Sequence, residues 1–403
     1  MRSLVISSNI VSTKSPAAPL EQGLVNDLVD RGVNSTVITA NVDRRDVKAK
    51  FKVIYTPFSK LIVYVFAVIG KVFSDIVWLP DATFYAWGIG AIHKARKILK
   101  QDSYNYLHSF GFANACHWVC YKVKKGSNIP WVATFFDSWT DYPSRKFHTK
   151  FFRRIDQQME RKVAIHSDLI IHDNENIANI WRERYGAVVA RKIVVIPLPF
   201  NPSNENRTPL DVRNKEVLTI SHIGTFYEYR DATAFIEAVR LFCVKHCDMK
   251  SRLKINFVGN TLKRDIELIS RYALSEVFNI VGRVSAEACQ TYYREADILL
   301  STTGSFGEDV MFPSKIIKYF YYDRPILGLA GVGTITRTEL EKAGHRTFSP
   351  DETEQISDFI LRAIKSYSQI CNFDHDYWKK FDSITVSNNY YTEINKVLSN
   401  DKK

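Results

Sequence analysis

The chain has 403 residues, of which 45% are hydrophobic and 24% are charged, a balance typical of a globular protein. This composition excludes a disordered or low-complexity protein, and the length predicts two domains of roughly 200 residues each. The net charge is +12 and falls entirely in residues 1–200, so we expect that half to face something anionic.

The first half alternates short apolar strands with helical segments, which predicts a parallel sheet covered by helices on both faces. The predicted strands are Leu4–Ser7, Ser35–Thr39, Lys52–Tyr55, Tyr104–His108, Trp131–Phe135, Leu169–Ile171 and Val194–Ile196. The predicted helices between them include Pro19–Arg31, Thr83–Leu99 and Phe151–Ile165.

A proline-rich stretch over residues 197–209 predicts a linker, after which the same alternation restarts. The strands predicted there are Val217–Ser221, Ile255–Val258, Phe278–Val281, Ile298–Ser301 and Ile326–Leu329. The helices are Ala232–Lys245, Lys263–Leu274, Ala286–Glu295, Pro313–Tyr322 and Glu354–Tyr367. We therefore predict Rossmann-like domains over 1–200 and 201–375. A helix over 376–403 is expected to pack back towards the N-terminal domain.

Ligands of such sheets bind at the carboxyl ends of the strands, so the predicted site is the cleft between the domains. In the second domain, three predicted strands end near a glycine, Gly224, Gly259 or Gly282, where the backbone can approach a ligand closely. Arg230 offers forked donors suited to phosphate oxygens. The alternative for Arg230 is an ordinary surface arginine at a helix start.

The loop after Ile298–Ser301 carries the most information. Pro313 opens the next predicted helix, and backbone amides at a helix N-terminus attract a diphosphate. Lys315 in the first turn would be unfavourable beside the positive end of the helix dipole unless an anion binds there. The alternative is an incidental lysine.

In the first domain, Asp137 and His108 are both placed at the ends of predicted strands. Asp137 is suited to orient an acceptor hydroxyl or take its proton. His108 is suited to donate a hydrogen bond to a bound sugar. The alternatives are a capping or salt-bridged aspartate and a half-buried imidazole of the core.

The motifs in their order resemble family-4 glycosyltransferases, which are retaining enzymes of the GT-B fold. The strings in the second half are G-T-x-Y-x-x-R, V-G, V-x-G-R-V-S, A-D-I-L-L-S and P-S-K-I-I-K-Y-F. In the first half, Ile129–Trp139 is similar to a P-W-x-A-D-x-R-D-P-W string of that family. The resemblance implies an α/β protein with two Rossmann-like domains facing each other across a cleft.

The resemblance also implies site residues. Arg230 and Lys315 would stabilise the leaving diphosphate of a nucleotide-sugar donor, and no metal would be required. The other donor-binding residues it implies are Gly224, Thr225, Gly259, Gly282, Arg283, Phe312 and Ser314. The family has a glutamate for the donor ribose where this chain has Lys318, and Glu308 is expected to substitute for it.

The resemblance and the charge together predict a retaining hexosyltransferase that extends a lipid-linked surface glycan. Basic clusters in the first half predict contact with an anionic membrane surface, and no motif predicts nucleic acid binding. Without an apolar signal segment or C-x-x-C pairs, we expect a cytoplasmic protein, peripheral on the inner face of the membrane. An epimerase of the same fold and a degenerate glycan-binding protein remain alternatives.

Overall fold

The computed structural model describes residues 1–403 except 13, 14, 16, 41–48, 58–81, 112–113, 142–149, 229, 304–309 and 401–403. Contacts between Cα atoms divide the chain into two compact units. Unit 1 comprises Met1–Phe200 and Lys380–Lys403, and unit 2 comprises Asn201–Lys379. The longest apolar run of the sequence, residues 61–69, lies outside the described residues. No helix among those described has the length and apolar character that crossing a bilayer requires.

Unit 1 is built on a seven-stranded parallel sheet in the order β3-β2-β1-β4-β5-β6-β7. Its strands are β1 Arg2–Ile6, β2 Asn34–Ala40, β3 Lys52–Thr56, β4 Tyr106–Phe110, β5 Trp131–Phe135, β6 Leu169–His172 and β7 Ile193–Val195. Its helices are α1 Ala18–Asp30, α2 Ala82–Gln101, α3 Ala115–Lys124, α4 Lys150–His166, α5 Glu175–Ala190 and, near the C-terminus, α12 Ser383–Asn400.

The central strands β4, β5 and β6 are buried along their whole length, which explains their continuous apolar sequence. Four tryptophans, Trp87, Trp131, Trp139 and Trp181, are fully buried in this unit. The C-terminal helix α12 contacts α1. The chain passes from β1 to β2 in one direction across the sheet and from β4 to β5 in the other. Since both connections are right-handed, α1 and α3 lie on opposite faces of the sheet.

Unit 2 holds a six-stranded parallel sheet in the order β10-β9-β8-β11-β12-β13. Its strands are β8 Leu218–Ile223, β9 Leu253–Val258, β10 Phe278–Gly282, β11 Ile298–Thr302, β12 Ile326–Leu329 and β13 Arg346–Phe348. Its α-helices are α6 Thr233–Lys245, α7 Lys263–Arg271, α8 Ala286–Glu295, α9 Ser314–Tyr322, α10 Ile335–Lys342 and α11 Thr353–Lys365. Short 3-10 helices cover Pro202–Asn204, Cys247–Arg252, Tyr367–Ile370 and Tyr377–Phe381.

The predicted α/β class, with alternating helices and parallel strands, is confirmed. One strand position differs in a way that matters for the site. The sequence predicts a strand over Tyr104–His108, but β4 runs over Tyr106–Phe110 and pairs with β1 from Ser3 onwards. This shift moves His108 from a strand end to the middle of β4.

Candidate functional site

Three neighbouring strands of unit 2, β10, β9 and β8, each end at a glycine. Gly224, Gly259 and Gly282 all have positive φ, at 140°, 123° and 77°. The strand ends are tied together, since the Gly224 amide donates to Val258 and the Gly259 amide donates to Gly282 over 2.7 Å. A Cβ at Gly259 would lie 2.2 Å from the Gly224 oxygen. At Gly259 the backbone is therefore packed too closely for a side chain, while Gly224 and Gly282 are favoured by their positive φ.

Lys315 reaches this edge from the first turn of α9. Its Nζ lies 2.6 Å from Nε2 of His222, the residue two positions before Gly224 on β8. A Cβ at Gly224 would lie 3.4 Å from Cδ of Lys315, so the lysine side chain runs directly over the glycine. The orientation of the His222 ring is fixed because the ring stacks on Phe226, with 3.8 Å between the two centroids.

The electrostatics of this pair disfavour positive charge in the absence of an anion. Burial and the nearby positive charge of Arg230 lower the pKa of Lys315 to about 7. Burial and then the charge of Lys315 lower the pKa of His222 well below its usual value. The imidazole is therefore neutral and accepts a hydrogen bond from the ammonium through Nε2. A bound anion would favour the charged lysine.

Arg230 belongs to the same cluster. It follows a tight turn in which the Arg230 amide donates to the Tyr227 oxygen over 2.8 Å. Its guanidinium reaches the Met311 carbonyl at 3.5 Å, just before α9. The loop after β8 and the start of α9 therefore bring Arg230, Lys315 and Gly224 together, as the sequence predicted, although 85 residues separate the two cations along the chain.

A tyrosine fixes the position of α9. The Tyr319 hydroxyl, one turn after Lys315, is buried and accepts from the Ile223 amide over 3.0 Å. It also lies within hydrogen-bond distance of the Leu300 carbonyl, in the middle of β11. Tyr319 thus fixes the first turns of α9 against two adjacent strands, β8 and β11. Neither Tyr319 nor His222 was predicted as a site residue, although Tyr319 lies on the same face of α9 as Lys315 and His222 lies on the strand that precedes Gly224.

Two predicted residues lie at the start of α9. Phe312 is buried and Ser314 is exposed, and the N-cap residue, Pro313, has no side chain that can cap the helix. Thr225 is half-buried beside Gly224. Arg283 is exposed after β10, where its Nε donates to Asn260 over 2.8 Å. The remaining donor-site prediction, Glu308, lies outside the described residues.

Lys318, at the position expected to face a ribose, turns instead towards the linker. Its Nζ forms an ion pair with Glu205 at 2.5 Å. The Tyr322 hydroxyl donates to the other carboxylate oxygen of Glu205 over 2.7 Å. Lys318 therefore fastens the linker to α9, while Lys315 one turn earlier faces the glycine-tipped edge.

His108 has different surroundings from those predicted. It is fully buried in the middle of β4, and its Nε2 lies 2.9 Å from the Thr134 hydroxyl. The rings of Phe110 and Tyr390 flank it. Burial lowers its pKa to about 3, so the imidazole is neutral. The expectation that it follows a strand is wrong, and its environment is that of a core histidine.

Asp137 follows β5 and is half-buried. The structure adds a neighbour that the sequence analysis missed, Asp173, directly after β6 and buried. Burial and then the charge of Asp137 raise the pKa of Asp173 well above its usual value. Two carboxyl groups therefore meet at the carboxyl edge of the sheet of unit 1, and Asp173 is the one driven towards its protonated form.

Metal ligands were not expected from the sequence. Among the described residues, no group of three or more His, Cys, Asp and Glu side chains is arranged to hold a metal ion. The D-x-D string Asp374–Asp376 forms local hydrogen bonds. His375 lies 2.7 Å from Asp323, and the Asp376 amide donates to the Asp374 carboxylate.

Comparisons with known proteins agree with the fold. The family model of Glycosyltransferase Family 4 matches residues 22–204. No curated protein sequence matches the chain. HepE from Anabaena, solved in complex with UDP, is 14% identical with a TM-score of 0.67, and the match covers 98% of this chain and all of that one.

Two other solved structures are similar over nearly their whole length. Sucrose-phosphate synthase from Thermosynechococcus elongatus is 12% identical with a TM-score of 0.69, covering 99% of each chain. The lipopolysaccharide outer core galactosyltransferase WaaB is 13% identical with a TM-score of 0.64, covering 98% of this chain and 99% of that one. The predicted GT-B fold and the resemblance to family-4 glycosyltransferases are confirmed.

Proposed function

We propose that this glycosyltransferase, a GT-B protein whose residues 22–204 match Family 4, transfers a hexosyl group from a nucleotide-sugar donor to a lipid-linked surface glycan. The observation that supports a diphosphate donor is the cluster of Lys315, His222 and Arg230 at the glycine-tipped edge of unit 2. Two cationic side chains converge where the backbone can approach a ligand most closely. Similar structures carry UDP or UDP-glucose, which agrees with this donor class.

In the proposed reaction, the bond between the anomeric carbon and the donor diphosphate breaks and negative charge grows on the diphosphate. Lys315 and Arg230 stabilise that charge, and preorganised groups of this kind give the largest single contribution to catalysis in many enzymes. The amides at the uncapped start of α9 add positive potential. Gly259 and Gly282 give the nucleotide room beside the strand ends.

On the acceptor side, we assign Asp137 to orient the attacking hydroxyl, with Asp173 as its neighbour. We propose transfer with retention, in which an oxygen of the donor phosphate accepts the proton of the acceptor hydroxyl. This reaction needs no metal and no strong protein base. We leave His108 out of the proposal because it lies in the core. The proposed cellular setting is the cytoplasmic surface of a membrane where polysaccharide is made.

The experiment is a screen of UDP-, GDP- and ADP-sugars for transfer and hydrolysis, followed by Lys315→Ala with the best donor. We expect Lys315→Ala to abolish both reactions. Lys318→Ala is the matched control. It removes an ammonium group from the same helix, one turn later, where the lysine pairs with Glu205 of the linker. Conversion of the donor to an epimer without an acceptor would favour an epimerase instead. Unchanged turnover in Lys315→Ala, with both variants folded, would contradict the proposal.

A further inference from the structure

Three neighbouring helices of unit 1 form a surface with an unusual charge distribution. α2 contacts α3 and α3 contacts α4, so the three lie side by side on one face of the sheet. They carry four, two and five lysines and arginines. These are Lys94, Arg96, Lys97, Lys100, Lys122, Lys124, Lys150, Arg153, Arg154, Arg161 and Lys162. We call this surface the basic face.

The basic face exposes no carboxylate on its three helices. α2 and α3 contain no acidic residue, and both acids of α4, Asp156 and Glu160, are fully buried. Asp156 accepts a hydrogen bond from Nε1 of Trp139, and Glu160 forms an ion pair with Arg184 at 2.8 Å. Solvated helix faces ordinarily mix charges of both signs. Here the acids of α4 are buried, so the charged side chains exposed on these three helices are cations, of which Lys124 pairs with Asp168 just before β6.

The opposite face of the same sheet differs. The helices there, α1 and α12, contact each other. α1 has no lysine or arginine, and its acids are Glu21, Asp27 and Asp30. α12 has one acid and one lysine, Glu393 and Lys396, which pair with each other. Among the described helices of unit 1, α2, α3 and α4 therefore carry far more basic residues than α1 and α12 on the other side of the sheet.

Apolar side chains are exposed among these cations. Phe151 on α4 is 65% exposed, and Ile165 on α4 and Ile89 on α2 are 44% and 45% exposed. A cavity of about 550 Å³ opens near the C-terminal ends of α3 and α4. Its lining residues are Tyr121, Lys124, Lys125, Ser127, Asn128 and His166. Cations interleaved with exposed aromatic and aliphatic groups are typical of surfaces that rest at the headgroup level of a bilayer.

We propose that the basic face binds the surface of an anionic phospholipid bilayer, with Phe151 and Ile165 entering the headgroup layer. The inference identifies the surface through which the protein would contact the membrane. It rests on the proposed membrane setting and not on the proposed sugar transfer. The charge complementarity carries it, because each basic group near an anionic surface strengthens binding. Nucleic acid is the less favoured partner, since exposed apolar groups gain nothing from a phosphate backbone.

The test is sedimentation of the full chain with vesicles of phosphatidylcholine alone or mixed with phosphatidylglycerol. We expect binding only to the mixed vesicles, and its loss at high salt. The double variants Lys97→Gln with Lys100→Gln, and Arg161→Gln with Lys162→Gln, should each bind about 30-fold more weakly. The matched control is Arg362→Gln with Lys365→Gln in the last turn of α11 in unit 2. This exposed pair has the same three-residue spacing as Lys97 and Lys100.

Three outcomes would overturn the inference: equal binding to both kinds of vesicle, equal weakening in the control variant, or tighter binding of a duplex RNA than of the mixed vesicles. Donor hydrolysis is measured in parallel. It should stay unchanged in all the double variants, because none of the substituted side chains belongs to the donor cluster of Lys315, His222 and Arg230. A failure of vesicle binding is thereby separated from a failure of the proposed sugar transfer.

Discussion

The carboxyl edges of the two sheets have the same topology and opposite chemistry. In unit 2, strands end at glycines, and the cationic side chains of Lys315 and Arg230 converge there. In unit 1, the corresponding strands carry the neutral, buried imidazoles of His108 and His172, followed by the carboxyl groups of Asp137 and Asp173. One edge gathers cations suited to an anion, and the described residues of the other present carboxyl groups.

This difference shows how a repeated α/β architecture divides its roles. The sheets supply the same frame, and the residues just after each strand decide the sign of the charge. Unit 2 is suited to the diphosphate of a donor, and unit 1 is suited to a neutral hydroxyl. The predictions below alter one edge at a time.

The largest effect is expected from Gly259→Ala. The new Cβ would meet the Gly224 oxygen at 2.2 Å, and the residue would keep a φ of 123° that disfavours side chains. We expect unit 2 to lose more than about 3 kcal/mol of stability. Urea unfolding followed by circular dichroism measures this change. Gly23→Ala is the control, because a Cβ there meets nothing within 4 Å; equal stability of the two variants would contradict the close approach.

Arg230→Ala should leave the fold intact and lower kcat by about 10²- to 10³-fold, because it removes one of two cations from the leaving diphosphate. Steady-state kinetics with the preferred donor measures the loss. Arg283→Ala is the comparison, since this exposed residue bonds to Asn260 after β10. Unchanged kcat in folded Arg230→Ala would show that Arg230 does not stabilise the leaving diphosphate.

Asp137→Asn tests the edge of unit 1. If Asp137 orients the acceptor, turnover should fall by about 10²-fold while donor affinity stays the same. Removing its charge should also lower the pKa of Asp173, since Asp137 is one cause of the raised value. NMR titration of labelled aspartates follows that shift. A weaker donor affinity in Asp137→Asn would instead place this residue with the donor.

The smallest effect on turnover is expected from His108→Gln. The buried ring packs against Phe110 and contacts Thr134, so stability should fall by about 1–3 kcal/mol with no change in kcat at a temperature where the variant is folded. Thermal unfolding and kinetics are measured on the same sample. A large loss of kcat in folded protein would restore the predicted contact between His108 and the sugar.

The sequence predicted the elements that follow strong patterns. Trp131–Phe135, Ile326–Leu329 and Ala286–Glu295 have the predicted bounds. Helix α3 was given no bounds from the sequence; seven of its ten residues are buried, so its apolar side chains do not mark a single face. Strand β13 was not predicted because its sequence, Arg-Thr-Phe, has only one apolar side chain, whereas the equally short edge strand β7 is Ile-Val-Val.

For the site, the sequence predicted the glycines and the two cations, because each follows a strand or opens a helix. It could not predict that His222 lies under Lys315, since 93 residues separate them and only the packing of α9 against β8 joins them. The role of Tyr319 was hidden for the same reason. The error at His108 came from a two-residue shift in one strand boundary.

The most direct measurement is the pH dependence of nucleotide-sugar affinity by calorimetry. Lys315 has a pKa of about 7 without an anion, and the diphosphate should raise it. Above pH 7, binding must then take up a proton, so affinity should fall by up to about tenfold per pH unit. Below pH 7, Lys315 is already charged and its contribution is constant. Lys315→Arg, charged throughout, should abolish the proton uptake. Affinity that is independent of pH between 7 and 9 in the unmodified chain, with no proton uptake, would contradict the diphosphate site.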